Sequence, residues 1–523
     1  MNRISILLLS ALLLGSACSR PATHEAVFSL DGASGTAFSE EGGTFTVTAR
    51  WEYCRYKVST DADFVGLPAF VYIGDAEGTG SRELAFSVDA NASPEARTAR
   101  LDFEPVDSPS GTNPGILSIT LSQAGKPRET VSVTLDAGKA FQTWDGFGAM
   151  NLGANWSRPV DWSEGETDTF IGQLGLNIIR IRIPHDEKDW AVLREGCRYA
   201  WEKYGALLLA SPWTMPAPMK VPQQLEAKKN DVTSSLAPAS YEAYALYLEK
   251  FASYMQEGGI PLSAISVQNE PDWPATYEGC VWTADQHLSF IRDYGQLVRS
   301  ARLVTGESMQ TTHSFYDPVL RDETACSHIA IVGGHLYGVK PQTYALAAEK
   351  GKRLWMTEHL YDESWSKGTD HWTETMEVVK EIHGCLTTGW NAYIWWYGAR
   401  YYSLIGDGNE GTTRGKVLPR GYAYAQFSKY IRPGDTRIGT DVSGTGSETL
   451  LATAFQGSDH LSVILVNTAG SEKDVTVDLG RNAAGAGATC TSASASAADL
   501  SVTVQGSTVA LELPPMSVTS LSL

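Results

Sequence analysis

The chain has 523 residues, 43% hydrophobic and 10% aromatic; this is ample for packed cores and too long for a single one, so two to four domains are expected. A formal charge of −19 argues against nucleic acid as a partner, which requires a basic face. The 15 Trp and 22 Tyr offer flat faces suited to sugar rings, although most such side chains serve as core.

Met1 to Ala17 carries Arg3, an apolar run from Ile4 to Leu14, and then Gly15-Ser16-Ala17-Cys18. A charged start, a short apolar stretch and small residues make a signal peptide over residues 1–18, too short to span a bilayer as a stable helix. Cys18 directly after small residues resembles a bacterial lipoprotein box. That predicts lipidation at Cys18 and membrane attachment through the lipid anchor only; the alternative is cleavage and free secretion. The other cysteines (Cys54, Cys197, Cys280, Cys326, Cys385 and Cys490) are scattered, with no Cys-x-x-Cys or Cys/His cluster. No metal and no cofactor is therefore expected, and disulfide pairing stays open.

Over residues 26–127 the text is short alternating runs broken by Gly, Ser, Asp and Pro: Thr44 to Ala49, Tyr56 to Ser59, Leu84 to Val88, Ala99 to Phe103 and Leu117 to Leu121. Period-2 strands at this spacing predict a small Ig-like β-sandwich. The turn Asn91-Ala92-Ser93-Pro94-Glu95-Ala96-Arg97 and the closing Leu121-Ser122-Gln123-Ala124-Gly125 resemble a BACON module. The resemblance implies a carbohydrate binder or a spacer; with no exposed aromatic cluster evident in the text, a spacer is expected.

Residues 143–431 alternate strands and helices. Candidate strands start at Phe147, then run from Gly175 to Pro184, Ala206 to Ala210, Ala264 to Gln268, Met309 to His313, Ile329 to Tyr337, Leu354 to Glu358 and Asn391 to Trp396. Tyr241, Tyr244, Leu248, Phe251 and Met255 fall on one helical face, and Trp372 to Leu386 reads the same way. Eight strands with intervening helices predict a (β/α)8 barrel. Residues 128–142 and 432–523 return to alternation and predict a β-sandwich side domain, with Ala488 to Ala498 as a loop.

The barrel's chemistry is expected where its strands end. Pro271 cannot donate to a ladder, so Glu270 sits at the tip of the fourth strand, and Glu358 ends the seventh. Two carboxylates on two strand tips of one pocket are the minimum for cleaving a glycosidic bond; an ordinary cap or surface charge is the plain alternative for each. No Walker loop, Gly-x-Ser-x-Gly elbow or His-Glu-x-x-His occurs, so nucleotide, serine-hydrolase and zinc-protease chemistry has no support.

Seven stretches carry a resemblance: Asn177 to Arg180, Ser211-Pro212-Trp213, Gln268-Asn269-Glu270-Pro271-Asp272, His335-Leu336-Tyr337-Gly338, Trp355-Met356-Thr357-Glu358, Ala392 to Tyr397, and Phe427 to Gly434. In this order they are similar to glycoside hydrolase family 30, most of all its subfamily 8, the glucuronoxylan-directed endo-β-1,4-xylanases. The resemblance implies Glu270 as acid/base, Glu358 as nucleophile and Asn269 on the sugar 2-OH. It puts Arg180, Trp213, His335, Tyr337 and Trp396 along the subsites, and Arg400 and Tyr402 where a glucuronate side chain binds. The implied substrate is xylan. Leu360 stands where that pattern has an aromatic hydroxyl, and Glu363 adds a nearby negative charge. Another family 30 specificity, a β-1,6-glucanase or β-glucosidase type, is one rival; a non-catalytic glycan-binding lipoprotein is the other.

Overall fold

A computed structural model of the protein describes residues 24–32, 36–70, 72–108, 114–150, 163–361 and 371–523. Cys18 and Glu363 lie outside the described residues. The chain divides into two compact units, Met1–Arg128 and Glu129–Leu523.

The first unit is a seven-stranded sheet. Its spine, Gly43–Thr60, pairs with Tyr72–Val88, Arg97–Asp107 and Val27–Asp31. The runs Thr44 to Ala49 and Tyr56 to Ser59 are thus one strand, continued through a bulge at Glu52/Cys54 where Tyr53 takes φ 48°. Alternation puts Val47, Ala49, Tyr56 and Val58 on the buried face. Phe70 and Tyr72 stay exposed, each with an arginine, Arg82 or Arg55, over its ring.

In the second unit eight parallel strands close a barrel: Gly146–Met150, Ile178–Ile183, Leu207–Pro212, Ala264–Ser266, Arg302–Val304, Ile331–His335, Arg353–Glu358 and Ala392–Trp395. One layer of its interior is apolar, from Ile178, Leu209, Ala264, Val304, Ile331, Trp355, Ala392 and Ile394. Side chains repeat every two residues, so Arg180, Ser211 and Thr357 point inward one layer nearer the C-terminal mouth. Ile179, Ile181 and Ile183 face the opposite way into the helix layer. Helix Tyr241–Glu257 buries Tyr244, Leu248, Phe251 and Met255 there, and the Tyr244 hydroxyl donates to Val267 O at 2.7 Å, bracing the tip of the fourth strand.

The fifth strand departs from expectation. It is Arg302–Val304; Met309 to Thr312 is loop and His313 opens a helix. The expected run is polar at Gln310, Thr311 and Thr312, and the loop is held from outside, with Met309 N and Ser308 Oγ donating to Asp272 at 3.0 and 2.6 Å.

Strand Glu129–Thr143 joins a ten-stranded sheet with the C-terminal strands, antiparallel to Thr436–Gly444 and parallel to Lys473–Asp478. The stretch from Ala488 is not wholly loop: Gly487–Thr491 pairs with Ser517–Ser522. Its Ser/Ala composition hides that pairing, but Cys490 and Thr491 are buried. Helix Pro419–Ser428 lies on this sheet, Gln426 donating to Thr491 Oγ1 at 2.9 Å and accepting from Ser520 Oγ at 2.7 Å, and so ties the barrel to the side domain.

Candidate active site

The strand tips gather a buried charged cluster. Arg180 is fully buried in the second strand. Its Nη1 donates to Glu358 Oε2 at 2.5 Å and its Nη2 to Asn269 Oδ1 at 2.6 Å, with Glu307 Oε2 3.0 Å away. Its Nε reaches Ser211 Oγ at 3.1 Å, and the guanidinium carbon stands 4.8 Å from the Trp213 ring. Two carboxylates sharing one guanidinium keep its desolvated charge compensated.

Glu270 is reached by backbone that Pro271 turns out of the ladder, at φ 46°, a left-handed conformation that a non-glycine residue adopts only where its surroundings enforce it. Glu270 N donates to Glu307 O at 2.9 Å and Asn269 N to Pro212 O at 2.9 Å, which supply that enforcement. The Glu270 carboxylate accepts from the Tyr277 hydroxyl at 2.9 Å and lies 3.3 Å from His335 Nδ1. Glu358 accepts from the Tyr337 hydroxyl at 2.9 Å. Residues 355 and 357 face inward, so Glu358 should face outward; a register shift between Gly334 and His335 puts Glu358 opposite His335 and re-aims it.

Burial opposes a charge on His335, yet Glu358, Glu270 and Glu307 carry it up to about 9. Its Nε2 stands 3.9 Å from both Glu307 and Glu358. Burial likewise pushes Glu307 up, but Arg180 and His335 outweigh it and bring it down to about 2. The Glu358 carboxyl is raised, by burial first, with His335 and Arg180 pulling down and Glu270 pushing up. The cluster sets two cations, Arg180 and His335, among three carboxylates, and the guanidinium pairs with Glu358 and Glu307.

One oxygen each from Glu270 and Glu358, with a ring nitrogen of His335, lie within 4.8 Å of one another. A cavity of about 410 Å³ opens above them, lined by Trp213, Trp396, Tyr397, Met309 and Leu360 besides the carboxylates and their tyrosines. Trp213 and Trp396 stand 5.7 Å apart, centroid to centroid, as a paired aromatic wall.

The structure therefore brings together Glu270, Glu358, Arg180, Trp213, Asn269, His335, Tyr337 and Trp396. Arg400 and Tyr402 sit one step back: the Arg400 guanidinium lies 5.5 Å from the ring of Tyr397, which lines the cavity, and 5.9 Å from that of Tyr402. Two members of the site carry no expectation from sequence. Glu307 escapes notice because the fifth strand ends at Val304 and not at His313, so its tip is misplaced. Tyr277 lies in a loop, seven positions past Glu270, where no periodicity marks it.

A closed (β/α)8 barrel with two carboxylates converging on one aromatic-walled cavity defines a glycoside hydrolase. No family model matches the chain. It is 33% identical over 397 residues to the glucuronoxylanase XynC of Bacillus subtilis (strain 168), an alignment spanning 74% of this chain and 90% of that protein. Its structure is similar to that of Xyn30A, a glycoside hydrolase family 30 subfamily 8 xylanase from Clostridium acetobutylicum, with TM-score 0.67 and 30% identity over 75% of this chain and 99% of that one. A family 30 endoxylanase from Clostridium papyrosolvens C71 gives TM-score 0.65 and 29% identity, over 75% and 99% of the two chains. The chain belongs to glycoside hydrolase family 30.

Proposed function

We propose that the protein is a retaining endo-β-1,4-xylanase acting on glucuronoxylan or glucuronoarabinoxylan. The observation that carries the mechanism is the approach of the Glu270 and Glu358 carboxylates to within 4.8 Å. Retaining enzymes hold their pair at about 5 to 5.5 Å, whereas inverting ones leave room for a water between the carboxylate and the sugar. Glu358 attacks the anomeric carbon while Glu270 gives its proton to the departing glycosidic oxygen, leaving a covalent glycosyl-enzyme. Glu270, now ionised, takes a proton from water as the water displaces Glu358, and configuration is retained. Tyr337 and Arg180 hold Glu358 for attack, Asn269 meets the sugar 2-OH, and the Trp213 and Trp396 rings flank the sugar.

The choice of xylan rests on the two xylanase relatives of about 30% identity and on Arg400, a guanidinium of the type that reads a carboxylate with two parallel hydrogen bonds. A non-catalytic glycan binder does not account for both carboxylates being so placed. At the other end of the chain, the text before Cys18 supports export and lipid anchoring at the cell surface, and the sheet of the first unit, with its BACON-like turn, supports a spacer between anchor and barrel. Product analysis on glucuronoxylan beside unsubstituted xylan tests the reading. Oligosaccharides with a glucuronate at a fixed distance from the new reducing end support it; cleavage of β-1,6-glucan with both xylans left intact overturns it.

A further inference from the structure

Lys220 plays no part in the chemistry above, yet it is 1% exposed. Four neutral oxygens lie within hydrogen-bond reach of the three N–H donors on its Nζ: Thr214 Oγ1 at 3.0 Å, Leu225 O at 3.1 Å, Glu226 O at 3.3 Å and Gly279 O at 2.6 Å. These come from three segments: the end of the third barrel strand, the loop that follows it, and the loop after the fourth strand that carries Tyr277. A buried ammonium is costly unless it is hydrogen-bonded, and here oxygens from all three segments surround it.

The same two loops are laid side by side by backbone bonds. Ala227 N donates to Tyr277 O at 3.1 Å, Gly279 N to Leu225 O at 3.1 Å and Lys228 N to Ala275 O at 2.8 Å. Residues 275–279 therefore run as an added strand against 225–228, with Lys220 beneath both. From this strand the Tyr277 side chain reaches back 2.9 Å to Glu270 Oε2. Tyr277 is itself half exposed, so its aim comes from the backbone that carries it more than from packing around the ring.

The geometry points to Lys220 as a positioning residue for the proton donor: its ammonium cross-links the loops after the third and fourth strands and so fixes the Tyr277 hydroxyl on Glu270. This rests on Glu270 being the acid/base. The groups facing Lys220 are Cys280, Glu226 and Glu278, the last engaged by Arg182 and His185. Burial lowers Lys220 to about 8 in spite of them, so the cross-link weakens within an accessible pH range.

The test is a double-mutant cycle between Lys220→Met and Tyr277→Phe, read through the pH profile of kcat/KM. The Tyr277 hydrogen bond favours the ionised Glu270, so losing it raises the pKa of Glu270 and moves the basic limb to higher pH. Lys220→Met should move that limb the same way and lower kcat/KM about tenfold at neutral pH, and the double variant should be no worse than the poorer single one. Additive losses, or an unmoved limb in Lys220→Met, overturn the proposal. Glu270→Gln is assayed alongside: if it remains active, the acid/base reading itself fails, whereas an inactive Glu270→Gln with an additive cycle removes only the role of Lys220. Should Lys220→Met not fold, hydrogen exchange of the unaltered protein, corrected for intrinsic rate, decides. Residues 275–281 should lose protection between pH 7 and 9 while strand Arg353–Glu358 keeps it, and unchanged protection at 275–281 counts against the cross-link.

Discussion

Arg180 Nη1 stands 2.5 Å from Glu358 Oε2 across the barrel mouth, so one guanidinium both orients the nucleophile and keeps it charged. Removing that cation should raise the Glu358 pKa further, because an adjacent opposite charge favours the ionised carboxylate. Since Glu358 must be ionised to attack, the acidic limb of kcat/KM should move to higher pH in Arg180→Met. Arg180→Lys, which keeps the charge and loses the fork, should hold the limb and lose kcat. An unmoved acidic limb in a folded Arg180→Met would detach Arg180 from the nucleophile.

Glu270→Gln and Glu358→Gln keep shape and remove, respectively, the transferable proton and the nucleophilic charge. Each should lower kcat by about a thousandfold or more in a folded protein, and Glu358→Gln should also lose stability because buried Arg180 and His335 lose a compensating carboxylate. The stereochemistry is an independent check on the 4.8 Å approach of the pair. Early-time NMR of the products should show the β-anomer at the new reducing end, and an α-anomer would mean inversion.

Much of this site is legible in the text, because two physical rules write it there. Proline ends a ladder, so Asn269-Glu270-Pro271 announces a strand tip; inward residues repeat every second position, so Ile178 fixes Arg180 as barrel-facing. What stays hidden follows no period. Glu358 turns inward through a bulge in its own strand, where Thr357 is passed over between the pairs Gly334–Met356 and His335–Glu358. Glu307 follows a strand only three residues long, whose polar continuation imitates further strand. Lys220 and Tyr277 belong to paired loops, where the partner of each residue is set by tertiary backbone bonds and not by spacing. The strand at Gly487 has the same cause: Ser and Ala carry little strand preference, and its neighbour Ser517–Ser522 supplies the pairing.

His335 gives a prediction for stability. Its folded pKa, raised to about 9 by the carboxylates around it against the effect of burial, exceeds the ordinary value of about 6.5 in the unfolded chain. The protonated form is thus favoured by folding, on the order of 3 kcal/mol for such a difference. That contribution is complete below pH about 6.5 and is lost as pH rises through about 9. Urea denaturation of the Glu129–Leu523 unit within the full chain should show stability falling across this window. In His335→Gln the fall should be flatter; an equal slope in both proteins would place the titration elsewhere.

Arg400 is the residue on which the proposed choice of substrate rests. Its Nε is buried without a hydrogen-bond partner among the described residues, and its guanidinium is ringed by Tyr397, Tyr401 and Tyr402 at 5.5 to 5.9 Å. Among the described residues it forms no ion pair with a carboxylate, unlike Arg180. A partly desolvated charge-assisted pair is worth about 1.5 to 3 kcal/mol, or roughly ten- to more than a hundredfold in kcat/KM. Arg400→Ala should lose that factor on glucuronoxylan and little on linear xylo-oligosaccharides, which offer no carboxylate. Leu360 lines the cavity where the family resemblance implies an aromatic hydroxyl, and on the proposed role of Arg400 Leu360→Tyr should raise activity on the acidic substrate alone. Equal losses on acidic and neutral xylans in Arg400→Ala would make Arg400 a support for the tyrosines around it, with preference set by other loops of the barrel mouth.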